Sequence, residues 1–64
     1  MCLLKVYLDK GSERELIASE ITLIVQENNR VKLSDIQFRE ITLDNVEISR
    51  ISALDSELIL KPLT

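Results

Sequence analysis

The chain has 64 residues and a mass of 7.3 kDa, is 45% apolar and 30% charged, and carries a net charge of −3 with a pI near 4.8. That length predicts one domain spanning residues 1–64, close to the lower limit at which a hydrophobic core alone sustains a fold. A single cysteine and no histidine exclude an internal disulfide, Ser-His-Asp and Cys-His nucleophiles and a His-ligated zinc, so the fold is expected to lean on a metal, a partner subunit or both.

The apolar fraction argues for a globular chain rather than a disordered one. An acidic balance with only Tyr7 and Phe38 as aromatics supplies neither the field nor the stacking platforms of an RNA binder, so nucleic acid is disfavoured rather than excluded. No apolar run approaches the roughly 20 residues of a membrane span, and Met1-Cys2-Leu3-Leu4 meets Lys5 too soon to be a signal-peptide core. A cytoplasmic location without membrane association is expected.

Leu4, Val6 and Leu8 alternate with Lys5, Tyr7 and Asp9, the period of two that defines a strand, here over residues 2–9. Lys10-Gly11-Ser12 contains the only glycine, and a tight reversal is expected there because glycine accepts positive φ. From Ser12 to Val25 two patterns compete. Ser12 and Glu15 have capping-box spacing, with Ile17, Ile21 and Ile24 on one helical face. Against a helix, Ile21, Thr22, Ile24 and Val25 are β-branched, and Ile21, Leu23 and Val25 alternate. The preferred reading is a short strand at Glu15–Ile17, a bend, and a strand from Ile21 to Gln26.

Glu27-Asn28-Asn29-Arg30 reads as a turn, since asparagine tolerates left-handed backbone. Strands are then expected over Val31–Ser34 and Phe38–Leu43, a turn at Asp44-Asn45, and a strand over Val46–Ser52. In that last strand the apolar positions Val46, Ile48 and Ile51 slip by one, which suggests a bulge near Ser49-Arg50. Leu58 and Leu60 follow a turn at Asp55-Ser56, and Pro62, which has no N–H to donate, should end the pairing. About seven short strands without room for crossover helices imply an all-β fold, a small antiparallel barrel or sandwich whose open edges invite a second copy.

Three carboxylate pairs could act as acid and base or hold a hard cation: Glu13 with Glu15, Asp35 with Glu40, and Asp55 with Glu57. Each lies in or beside an expected turn, and solvated surface charge is the favoured reading by roughly ten to one. The basic residues are dispersed, with Arg39 and Arg50 expected to pair with carboxylates. An RNA-binding alternative would draw on Lys5, Arg30 and Lys32. Cys2 is the one candidate ligand of a metal. A lone intracellular cysteine is more often a packed hydrophobe, by roughly three to one. At the second position, however, its thiolate can close a five-membered chelate ring with a backbone nitrogen, a donor set suited to square-planar Ni(II) or Cu(II). The nitrogen is either the Cys2 amine, if Met1 is removed, or the Met1 amine and Cys2 amide. One cysteine gives half a site, and a two-fold dimer bringing two Cys2 residues together would complete it.

Met1-Cys2-Leu3-Leu4-Lys5-Val6-Tyr7-Leu8 resembles the opening of the CooT family, small nickel-binding proteins associated with carbon monoxide dehydrogenase maturation. The likeness extends through Glu15-Leu16-Ile17, Val31-Lys32-Leu33 and Ile48 to Ile51. The resemblance implies a non-enzymatic, metallochaperone-like accessory protein. It would be a homodimer with Cys2 as nickel ligand at the interface, serving carbon monoxide dehydrogenase or another nickel enzyme. Relatives have also been described as predicted RNA-binding proteins. Family members often carry glycine where this chain has Gln37-Phe38-Arg39 and Asn45, so turns of different shape are expected there.

Overall fold

The alternation of apolar and polar side chains is realised as six strands in the computed structural model, which describes residues 3–63. They are β1 (Leu4–Asp9), β2 (Arg14–Glu27), β3 (Arg30–Asp35), β4 (Glu40–Asp44), β5 (Val46–Ser52) and β6 (Glu57–Pro62). No helix occurs among the described residues. The β-branched run from Ile21 to Val25 therefore prevails over the capping-box spacing, as expected for side chains that lose χ1 freedom in a helix. Val6, Ile21, Val31, Leu33, Val46, Leu58 and Leu60 form the buried core, with Leu4, Leu8, Ile17, Ala18, Ile24, Leu43 and Ile48 packed around it.

Two of the seven expected strands are one. The segments at Glu15–Ile17 and Ile21–Gln26 belong to the 14-residue β2, and the bend between them is made within the strand by Glu20, whose φ is 57°. The first half of β2 pairs with β1 and the second half with β3, with Ile21 opposite both Leu4 and Asp35. Register shifts lie on either side of the bend, between Val6 and Tyr7 on β1 and between Ile21 and Leu23 on β2. Bulges of this kind sharpen the local twist and let one strand serve two partners in different directions.

The sheet order is β4-β3-β2-β1-β6-β5. All pairings are antiparallel except β1 with β6, which run parallel with Val6 opposite Leu58 and Leu8 opposite Leu60. The purely antiparallel arrangement expected from strand spacing is thus corrected. The chain leaves β4 at Asn45 (φ 58°), crosses to the far side and returns along the free edge of β1 in the same direction. The sheet folds over so that β3 lies against β5, and the Val46 N–H donates to the Asn29 carbonyl at 3.2 Å. It is an open, folded sheet rather than a closed barrel, with β4 and β5 at its two edges.

Turn chemistry follows the expectations at most reversals. Gly11 has φ 92°, and its N–H donates to Asp9 Oδ1 at 2.9 Å. Asn28 has φ 53°, and Gln26 Nε2 donates to the Asn28 carbonyl at 2.8 Å. The bulge in β5 falls between Ile48 and Arg50, and the last pair in the β5–β6 ladder is Val46 with Pro62. The expected strand Phe38–Leu43 is corrected at its start. β4 begins at Glu40, and Phe38 sits in the preceding turn with φ 65°, a conformation incompatible with an extended strand.

Candidate metal centre

Strand direction and register decide which residues share an end of the molecule. β1 and β6 start side by side, with Lys5 opposite Glu57 and the Lys5 N–H donating to the Ser56 carbonyl at 3.0 Å. Leu4 is level with Ile21, Ile21 is level with Asp35, and the Ile36 N–H donates to the Glu20 carbonyl at 3.0 Å. The start of β1 is therefore flanked by the β2 bend at Glu20, by the turn that joins β3 to β4, and by the turn that joins β5 to β6. Cys2, the sequence-derived ligand, lies outside the described residues.

The β3–β4 turn is built around one carboxylate. Asp35 Oδ1 accepts the N–H groups of Gln37 at 2.9 Å and Arg39 at 3.0 Å, while Arg39 Nε donates to Oδ2 at 2.9 Å. The Arg39 N–H, the Gln37 N–H and the Arg39 guanidinium hold the Asp35 carboxyl below its ordinary value of 3.8, and partial burial opposes them only in part. Hydrogen bonds to the charged form lower a carboxyl's pKa in this way. An open cleft of about 410 Å³ lies between this turn and the β2 bend, lined by Glu20, Ile21, Asp35, Arg39, Glu40 and Ile41 among others.

The other sequence-derived candidates are dispersed. Glu15 pairs with Lys10 Nζ at 2.6 Å, and this contact raises the Lys10 pKa by hydrogen bonding and by charge. Asp55 accepts the Ser52 hydroxyl at 3.2 Å in the β5–β6 turn. Of the three carboxylate pairs, Asp35 and Glu40 share a cleft, but no group of three or more Asp, Glu or Cys side chains able to hold a metal occurs among the described residues. Arg39 pairs with Asp35 as expected. Arg50 instead lies opposite Ile59 on β6 and forms no ion pair among the described residues. Of the basic residues proposed for RNA, Lys5 is on β1 and Arg30 and Lys32 are on β3, with β2 between them. Arg30 Nε is bound to Asp44 at 2.9 Å.

A family model described as CO dehydrogenase accessory protein CooT matches residues 1–61. The chain belongs to the CooT family. A crystal structure of a protein assigned as CooT from Carboxydothermus hydrogenoformans superimposes with a TM-score of 0.85 at 16% sequence identity, covering 95% of this chain and 97% of the other. At that identity the match speaks for the fold alone. None of the curated proteins compared is similar to this chain.

Phe38 (φ 65°) and Asn45 (φ 58°) occupy left-handed backbone positions. Asparagine adopts this conformation readily, whereas for a bulky aromatic it is an outlier. Sequence reasoning placed Phe38 in a strand and assigned Leu54 no role. Both side chains are almost wholly exposed, at 89% and 95%, and both stand on turns at the end where β1 begins.

Proposed function

We propose that this CooT-family chain is a non-catalytic nickel-delivery protein. As a homodimer it holds one Ni(II) between the Cys2 thiolates of two subunits and passes it to carbon monoxide dehydrogenase or another nickel enzyme. The family match over residues 1–61 carries the reading. The chemistry of the chain agrees with it: Cys2 is the only thiol and there is no imidazole, so a soft, strong-field site must use thiolate with backbone nitrogen. Nickel is cargo on this reading, and the residues that serve it are Cys2 and, for nitrogen, the backbone at Met1 and Cys2. Thiolate ligation requires reduced cysteine, which suits a cytoplasmic site of action; no helix among the described residues is long and apolar enough to cross a membrane.

The test is an anaerobic nickel titration followed by absorbance and native mass. A thiolate-to-metal charge-transfer band saturating at one metal per two chains is expected, and it should vanish in Cys2→Ser. Unchanged saturation in the serine variant refutes the assignment.

A further inference from the structure

The two edges of the sheet are not alike. At the β5 edge the ladder is broken by the register shift between Ile48 and Arg50, and the first N–H of the strand, at Val46, is spent on the Asn29 carbonyl. Bulges blunt an edge against further pairing. β4 has no such device: its five residues pair with β3 in unbroken register, from Ser34 opposite Glu40 to Arg30 opposite Asp44. Antiparallel pairs alternate between those that exchange hydrogen bonds and those that do not. The Asp35 N–H donates to the Arg39 carbonyl, which makes Leu33 with Ile41 and Val31 with Leu43 the bonded pairs along the ladder. Glu40, Thr42 and Asp44 therefore turn their backbone N–H and C=O groups away from β3. No turn or loop hydrogen bond among the described residues reaches those groups.

The side chains along β4 define the strand that fits beside it. Ile41 and Leu43 lie opposite Leu33 and Val31, both fully buried, yet Ile41 is 41% exposed because β4 is the last strand of the sheet. Glu40, Thr42 and Asp44 alternate with them onto the other face. Asp44 is held by Arg30 across the ladder, whereas Glu40 forms no ion pair among the described residues. A second copy pairing antiparallel about Thr42 would set Glu40 against Asp44, and like charges directly opposite one another are destabilising. We propose that the free edge of β4 takes up an extended segment of a different protein as an added strand. That segment alternates apolar residues, which cover Ile41 and Leu43, with basic residues, which meet Glu40 and Asp44. Backbone hydrogen bonds give such an addition its affinity and the alternate side chains its selectivity. The proposal takes nothing from the metal reading and is tested apart from it.

Amide hydrogen exchange of the full chain, followed residue by residue by NMR, tests the edge first. The amides of Glu40, Thr42 and Asp44 should exchange fast and those of Ile41 and Leu43 slowly. Protection of the first three in the free chain, by a second copy or by the chain itself, overturns the proposal. The probes are then a capped heptapeptide, Thr-Lys-Val-Thr-Val-Lys-Thr, and its counterpart with Glu in place of both Lys. The lysine peptide is expected to protect the three amides and to bind at least tenfold more tightly than the glutamate peptide. Glu40→Lys, at an exposed position, should cancel that preference. N-methylation of the peptide at both lysines and the central threonine, whose N–H groups face β4 in the added strand, should abolish binding while leaving the protein unaltered. Equal binding of the two peptides, binding that survives N-methylation, or no binding at millimolar concentration overturns the proposal.

Discussion

Replacing Phe38 by glycine should stabilise the folded chain. Relief of a left-handed conformation on a non-glycine residue is worth roughly 1–2 kcal/mol, and the added freedom of glycine in the unfolded chain returns about 0.5–1 kcal/mol of that. The ring is 89% exposed, so its removal forfeits only about 0.3 kcal/mol of burial. The balance is a gain of about 0.5 kcal/mol for the monomer, or roughly 2–4 °C in Tm for a domain of this size. Thermal melts at matched, dilute concentration should therefore show the glycine variant unfolding at the higher temperature. A variant less stable than wild type would show that the ring packs against its own chain, and the reasoning would fail.

Two further outcomes test the scaffold. Leu58 is fully buried between Val6 on β1 and Ile51 on β5; Leu58→Ala should cost roughly 3–5 kcal/mol, much of the few to about ten expected for so short a chain, and an unshifted urea midpoint would contradict its place in the core. Asp35 has a folded pKa below its ordinary 3.8, so its stabilising effect is complete above that value and is lost as pH falls through the lower folded value. The stability difference between wild type and Asp35→Asn should thus hold at neutral pH and shrink only in acid, with faster amide exchange at Gln37 and Arg39 in the variant; a difference independent of pH through the acid range would remove the carboxylate from its bracing role.

The reversals at Gly11, Asn28 and Asn45 were legible because each needs a residue type that tolerates positive φ, and the β5 bulge because it displaces the apolar period visibly. The turn at Phe38 was not, since an aromatic beside an alternating segment reads as strand by every local preference, and the brace at Asp35 that holds it is a contact over four residues, not a pattern. The merger of two expected strands into β2 was not legible for a related reason: Glu20 carries no turn signal, and its left-handed φ falls where β2 changes partner from β1 to β3. Ile59 was passed over between Leu58 and Leu60 because alternation assigns it to the opposite face, yet it too is buried, with Tyr7 and Arg50 as its neighbours across the ladders. The parallel pairing of β1 and β6 depends on where the chain returns in space, which strand spacing does not encode. The proposed ligand came from Cys2 and the family likeness, with no help from the described carboxylates.

Those carboxylates bear on what kind of metal the chain can carry. Asp35, Asp44, Glu15 and Glu47 are each bound to a basic side chain, and Asp35 also accepts two backbone N–H groups, so a hard cation would have to displace existing partners to collect them. The proposed thiolate with backbone nitrogen would discriminate by softness and field strength instead. The proposed site would use one side chain per subunit, in sequence two residues before the start of β1 and separate from the core residues Val6, Leu33, Leu58 and Leu60. Metal bound there can tighten a dimer by mass action, but it has no route to organising the interior. On the proposed reading, the shortage of buried surface in a 64-residue chain would be met by a second subunit, and nickel could leave without the fold leaving with it.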